Sequence, residues 1–157
     1  MNCENSILIR APLPAIYAAT SDLERWPTVL PHYRWIRVLE RDGHAMTVNM
    51  AARRGWLPIQ WTSRFEAVDG ELRFHHLKAF TRGMDVKWTF TQTEDGVLVR
   101  ISHELNRWYA GLLARYFIEP VASRTLAAFK RHLESGVVAP VSGRWIPAPP
   151  GTAATTP

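Results

Sequence analysis

Apolar and polar residues alternate through the middle of the chain, and pairs of turn-forming residues interrupt this alternation at regular intervals. Asp42-Gly43, Asp69-Gly70 and Asp95-Gly96 carry the Asp-Gly signal of a tight β-hairpin, and Arg82-Gly83 is a weaker site of the same kind. This spacing predicts an antiparallel meander of six strands. With one strand near the N-terminus, the pattern predicts seven strands, at 4–11, 33–41, 45–54, 57–67, 71–81, 84–93 and 97–105.

Helical spacing replaces the alternation between the first strand and the meander. Apolar residues at 13, 16, 17 and 20 predict one short helix, with Pro14 tolerated in its first turn. Ser21 and Glu24 have the spacing of a capping box for a second short helix. We expect that helix to end at Trp26-Pro27, because a residue before proline avoids the helical region.

The end of the domain is predicted to be one long helix. Pro120 is expected to kink or split it, and Gly136 is a natural C-cap. We therefore predict a domain at 1–136 and a flexible, proline-rich tail at 137–157. The apolar stripe of the helix consists of Ala122, Leu126, Phe129 and Leu133.

Residues that pair across a hairpin share a face of the sheet, so the predicted turns also assign side chains to faces. A two-residue turn at Asp69-Gly70 places Phe74 and His76 inside, whereas a three-residue turn with a bulge places His75 inside. We predict the bulge. The strand 33–41 is ambiguous, and we choose the face with Tyr33 and Trp35. The other predicted inward residues are Met46, Val48, Met50, Ile59, Trp61, Ser63, Phe65, Ala67, Trp88, Phe90, Ile101 and His103.

One helix cannot fill the concave face of a seven-stranded sheet. The remaining space is expected to form a cavity lined by aromatic rings and a few polar groups, as small-ligand pockets are. The chain has seven Trp, six Phe and four Tyr residues, which suits such a cavity.

Length and composition limit the alternatives. The 157 residues suit a single domain, and Cys3 as the sole cysteine excludes an intramolecular disulfide and a cysteine-based zinc cage. No apolar run is long enough for a membrane span, and the N-terminus does not resemble a signal peptide. We therefore expect a cytoplasmic protein.

The order of elements and several local strings resemble the START-like helix-grip superfamily, in particular its polyketide cyclase/dehydrase branch of aromatase/cyclases. The resemblance runs from about residue 5 to 133 and rests on NSILIRAPLPAIYAATSDLERWPTVLPHY, VLERDG, WTSRF and VKWTF. It implies an α+β, START/Bet v 1-like fold with a seven-stranded antiparallel sheet wrapped around a long C-terminal helix. Two short helices follow the first strand.

The resemblance also implies a function. Such cyclases bind a hydrophobic polyketide intermediate and promote aldol ring closure and dehydration, with an acyl carrier protein as a possible partner. Where the family has an arginine in the cavity, this chain has Phe65. A non-catalytic carrier of a lipid or quinone is the alternative, and an RNA- or protein-interaction module is a third.

The candidate catalytic residues are Tyr33 and Ser63, which match by position, with His75 or His103 as base. No metal or other cofactor is expected, because His75 and His76 point to opposite faces and leave too few ligands beside His103. Nucleic acid is not expected either, because no helix carries a basic stripe. The candidate ligand-binding residues are Trp26, Trp35, Met50, Trp61, Phe65, Trp88, Phe90 and Phe129.

Overall fold

The computed structural model describes the backbone of residues 1–138 and the side chains of residues 1–135. It contains one antiparallel sheet of seven strands in the order β1-β7-β6-β5-β4-β3-β2, so the predicted meander is confirmed. The strands are β1 (Asn2–Ile9), β2 (Tyr33–Asp42), β3 (Ala45–Arg54), β4 (Leu57–Val68), β5 (Glu71–His76), β6 (Asp85–Gln92) and β7 (Val97–Glu104).

The helices lie between β1 and β2 and after β7. The first group is α1 (Leu13–Ser21), a 3-10 turn (Leu23–Arg25) and α2 (Trp26–Val29). The second group is α3 (Ala110–Leu113), a π-helical turn (Ala114–Ile118) and α4 (Glu119–Val138). No helix in the described part of the chain is long and apolar enough to cross a membrane.

Helix α4 is joined to the sheet along β1. The Asn5 amide donates to Ser123 Oγ at 2.9 Å, and the Lys130 ammonium donates to the Leu8 carbonyl at 2.6 Å. The apolar stripe of α4 faces inward, and Phe129 is fully buried. The long helix therefore covers part of the inner face of the sheet, as its amphipathic pattern predicts.

Two predictions about helix ends are wrong. Trp26-Pro27 begins α2, because proline suits the first turn of a helix, where its missing N–H costs no hydrogen bond. The helix also continues past Gly136 to Val138. The flexible tail was predicted at 137–157, and residues 139–157 lie outside the described part.

Pro120 does not split the C-terminal helix. The chain makes a π-helical turn just before it, in which the Glu119 N–H donates to the carbonyl of Ala114. The wider turn lets the chain pass a residue that has no N–H of its own to donate.

The turn between β4 and β5 overturns the predicted bulge. Val68 pairs directly with Glu71, and both turn residues have positive φ, 54° at Asp69 and 72° at Gly70. This is the two-residue turn that Asp-Gly favours. His76 therefore faces inward and His75 outward, the reverse of the prediction.

Two other connections are longer than predicted. Gln92 pairs with Val97, so the β6–β7 loop has four residues, and the register moves by two positions. A shift of two keeps every side chain on its face. Strand β5 ends at His76, and the eight residues 77–84 form a loop where the chain was expected to continue as strand to 81.

A β-bulge at the start of β2 changes the predicted face of that strand. The register with β3 shifts between Tyr33 and Trp35, so Ile36 lies opposite the buried Met50. Tyr33 stays inside, but Trp35 faces outward, where the guanidinium of Arg37 lies 4.2 Å from its ring centroid. Trp35 is therefore not a cavity residue.

Candidate functional site

A cavity of about 100 Å³ lies between the inner face of the sheet and the C-terminal helices. It is predominantly apolar, and among residues 1–135 no Arg, Lys, Asp or Glu lines it. The lining residues are Trp26, Tyr33, Met50, Ile59, Trp61, Phe74, His76, Phe80, Thr81, Met84, Val86, Trp88, Ile101, His103, Leu113, Phe117, Ile118, Val121, Ala122 and Thr125.

Trp26 organises the aromatic end of the cavity. Its indole N–H donates to the Thr20 carbonyl at 3.0 Å, which satisfies the one polar group of a fully buried ring. The rings of Tyr33, Trp88 and Phe129 surround it at centroid distances of 5.3, 5.6 and 5.7 Å. This cluster holds Tyr33 and Trp88 in place at the cavity wall.

Tyr33 carries a phenol into this apolar wall. Burial raises the pKa of the Tyr33 phenol, and the nearby Thr125 hydroxyl offsets a part of that rise. Thr125 donates to the Val121 carbonyl at 2.8 Å and contacts His32 Nε2 at 2.8 Å. Since the pKa is raised, Tyr33 stays protonated at neutral pH and can donate a hydrogen bond into the cavity.

Two imidazoles face the same cavity. His76 Nδ1 lies 2.7 Å from Thr81 Oγ1, and the His76 ring stacks parallel to Trp61. Burial and the neighbouring His103 and His75 lower the pKa of His76 to about 3. Burial alone lowers the pKa of His103 to about 4. Both imidazoles are therefore neutral at pH 7, and each has one ring nitrogen that donates a hydrogen bond and one that accepts.

Ser63 lies beside the cavity but does not line it. Ser63 on β4 pairs with His76 on β5 and with Val48 on β3. The side chain is fully buried, and its hydroxyl has no hydrogen-bond partner among the described residues. In this arrangement Ser63 does not reach a ligand in the cavity.

The structure brings six of the predicted site residues to the cavity wall. Those that line the cavity are Trp26, Tyr33, Met50, Trp61, Trp88 and His103. Phe65 and Phe129 are buried but lie behind the wall, where Phe65 packs on Phe74 at 4.9 Å. Phe90 packs against Tyr17 at 5.6 Å, away from the cavity.

His75 is a correction, since it lies on the outer face. Its Nδ1 is 2.6 Å from the Asp85 carboxylate, and both side chains are exposed. His76 occupies the inward position that was predicted for His75. The Asp-Gly pair at Asp69-Gly70 contained the signal for this arrangement, because it favours the two-residue turn.

Sequence reasoning missed the part of the wall formed by the loop after β5 and by the C-terminal helices. Thr81 belongs to a segment that was predicted to be a strand end, and Thr125 was hidden among the polar residues of an amphipathic helix.

Among the described residues no group of three or more His, Cys, Asp or Glu side chains could hold a metal ion.

Comparison with known proteins identifies relatives. The sequence profile of the family described as polyketide cyclase/dehydrase and lipid transport matches residues 9–134. A Streptomyces halstedii protein assigned as a polyketide cyclase is 32% identical over 105 residues, which cover 62% of this chain and 94% of that protein.

Solved structures share the fold. The Zhui aromatase/cyclase from Streptomyces sp. R1128 superposes with a TM-score of 0.76 at 15% identity and covers 87% of this chain and 95% of its own. A START superfamily protein from Mycobacterium smegmatis superposes with a TM-score of 0.65 at 14% identity, over 88% of this chain and 97% of its own. At these identities the likeness concerns the helix-grip fold alone.

Proposed function

The chain belongs to the polyketide cyclase/dehydrase and lipid transport family, and from this premise we propose that it promotes aldol cyclisation and dehydration of a poly-β-ketone in its cavity. The observation that carries the proposal is the cavity itself. One protonated phenol, Tyr33, and two neutral imidazoles, His76 and His103, line a predominantly apolar, aromatic wall.

These groups suit the proton transfers of an aldol reaction. A neutral imidazole of His76 or His103 accepts the proton from the carbon between two carbonyls. The resulting enolate carbon attacks a second carbonyl, and a carbon–carbon bond forms. The Tyr33 phenol donates its proton to that carbonyl oxygen as negative charge develops. The hydroxyl later leaves as water with the proton of the imidazolium. The Tyr33 phenolate takes the second proton from carbon, which restores both the phenol and the neutral imidazole.

The wall favours a neutral substrate of this class. Trp61, Trp88 and Phe74 offer flat apolar surfaces, and no charged side chain in the described part of the chain lines the cavity and competes for the carbonyl oxygens. A volume of about 100 Å³ accommodates roughly one ring. The rest of a longer chain must extend toward the mouth, which Phe80 and Phe117 border. An acyl carrier protein as the source of the substrate stays a prediction.

Replacement of Tyr33 by Phe tests the proposal. Tyr33→Phe keeps the ring and removes the hydroxyl, so we expect ligand affinity to stay within a few-fold. Turnover of a linear poly-β-ketone mimic is expected to fall by roughly 10²–10⁴, the usual contribution of one acid–base group. The measurement is the cyclisation rate and the product pattern. Wild-type protein that binds such compounds but leaves their cyclisation unchanged refutes the enzyme proposal.

A carrier without chemistry is the second candidate. The low pKa values of His76 and His103 favour it, because an imidazole that resists protonation is a weak base. A carrier binds a neutral lipid or quinone in the same cavity, and Tyr33→Phe then changes only its affinity. The two candidates are separated by the turnover measurement above.

A further inference from the structure

Three segments of the chain meet around the mouth of the cavity. They are the end of β3 and start of β4 (51–61), the loop after β5 (77–84), and the chain from the end of β7 through the π-helical turn (105–118). The Tyr109 hydroxyl donates to the Phe80 carbonyl at 2.9 Å, and the Phe80 and Phe117 rings lie 6.0 Å apart. The Arg54 guanidinium lies 5.6 Å from the Phe117 ring. We call this surface the mouth rim.

Large apolar side chains project from all three segments of the mouth rim. Trp56 is 90% exposed at the β3–β4 turn, and Trp108 is 93% exposed before α3. Leu112 and Tyr116 are exposed on the following helical turns, and Phe80 is exposed although it also lines the cavity. A set of this kind, gathered at one opening, indicates a contact surface.

The mouth rim also carries the excess positive charge of the protein. Its three segments contain six Arg and Lys residues and no Asp or Glu, whereas the rest of the chain contains 13 basic and 14 acidic residues. The net charge of +5 therefore arises at the mouth rim. The basic residues are Arg53, Arg54, Lys78, Arg82, Arg107 and Arg115.

We propose that the mouth rim docks on the surface of a membrane that contains anionic lipids. Trp56 and Trp108 insert among the headgroups, where indole rings partition favourably. The arginine side chains reach the phosphate groups while their aliphatic stems lie along apolar surface. The cavity mouth then faces the lipid, so an apolar ligand passes between bilayer and cavity without crossing water.

The shape of the surface favours a bilayer over a protein partner. The two tryptophans stand out almost fully from different segments, although the Trp108 ring meets the neighbouring Tyr109 ring edge-on at 5.5 Å. A deformable lipid surface accepts such projections wherever they lie, whereas a protein must offer a matching pocket for each. An acidic protein, such as a carrier protein, is the competing occupant and is an outcome of the test.

Vesicle sedimentation tests the proposal with the full chain. Wild-type protein is expected to sediment with vesicles of equal parts phosphatidylcholine and phosphatidylglycerol, and not with phosphatidylcholine alone. Binding should weaken as salt is added. The double variant Trp56→Ser, Trp108→Ser should bind at least about tenfold more weakly, because two apolar side chains no longer insert.

Two controls make the result specific. Leu39→Ser removes an exposed apolar side chain near the other end of the β2–β3 pair, and it should bind vesicles like the wild type. Arg107→Gln with Arg115→Gln should weaken binding more than Arg25→Gln does. Each variant is first shown to keep the melting temperature and the saturable ligand binding of the wild type, neither of which depends on docking.

Three outcomes overturn the proposal. One is wild-type protein that stays in solution with anionic vesicles at low salt. Another is equal binding by the tryptophan double variant, which shows only electrostatic adsorption of a basic protein. The third is wild-type protein that captures a purified acidic acyl carrier protein but no vesicles, which makes the mouth rim a protein interface.

Discussion

His75 and His76 are adjacent in the sequence but lie in different chemical environments. His75 lies in solvent beside the Asp85 carboxylate, whereas His76 is buried beside Thr81 and Trp61. The cause is the alternation of side chains along β5. The inward histidine loses its water, and burial lowers the pKa of His76 to about 3.

The buried imidazoles make stability depend on pH. His103 has a pKa of about 4 in the folded protein and about 6.5 when unfolded. Between these values the unfolded chain binds a proton that the folded protein does not bind, so stability is lost as pH falls from 6.5 toward 4. Between pH 7 and pH 4.5 the free energy of unfolding should therefore fall by about 2–3 kcal/mol less in His103→Gln than in the wild type.

Urea unfolding at the two pH values measures this effect. The free energy of unfolding of the variant is subtracted from that of the wild type at each pH, because the carboxylates contribute equally to both proteins. His44→Gln makes the same replacement at an exposed histidine and serves as the matched control for the substitution itself. If His103→Gln retains the full loss on acidification, His103 is not buried as a neutral imidazole.

At the scale of elements, the sequence located turns better than it predicted their lengths. The Asp-Gly pairs marked the hairpins correctly. At Asp95-Gly96 the loop is two residues longer than predicted, which leaves every side chain on its predicted face. At Asp69-Gly70 the predicted turn was one residue too long, which exchanged the faces of His75 and His76. The bulge after Tyr33 had no signal in the local pattern, so Trp35 was placed inside. Long alternating strands and the amphipathic helix were predictable because their periodicity is repeated many times.

The β6–β7 loop offers a test of close packing between elements. Gly96 has φ of +148°, and a Cβ there would lie 2.6 Å from the backbone oxygen of Ile9 at the end of β1. Gly96→Ala should therefore destabilise the fold by about 2–4 kcal/mol, from backbone strain and overpacking. Gly43→Ala is the control, since its site is open and only its φ of +57° is unfavourable, at about 1–2 kcal/mol.

Thermal and urea unfolding of the two glycine variants provide the comparison. The prediction concerns their order: Gly96→Ala must be the less stable protein. Equal stabilities would mean that β1 does not approach the β6–β7 loop as closely as the structure has it.

At the scale of the whole molecule, the fold leaves a cavity because the sheet is wider than the helices that cover it. The sequence predicted this imbalance, together with Trp26, Tyr33, Met50, Trp61, Trp88 and His103 in the wall. It did not predict Thr81, Phe80 or Thr125, because loop 77–84 and the C-terminal helices reach the cavity only through tertiary packing. The polar wall groups thus come from distant segments, and their convergence is a property of the folded protein.

Saturable ligand binding in this cavity is the central claim, and tryptophan fluorescence tests it directly. A phenol with one aromatic ring should quench the fluorescence of the wild type saturably at micromolar concentration, since Trp26, Trp61 and Trp88 line the site. Ala122→Phe, which fills the cavity from α4, should abolish saturable quenching. Ala18→Phe, on the exposed face of α1, should not. Linear quenching in the wild type, or equal saturable quenching in folded Ala122→Phe, would contradict the account.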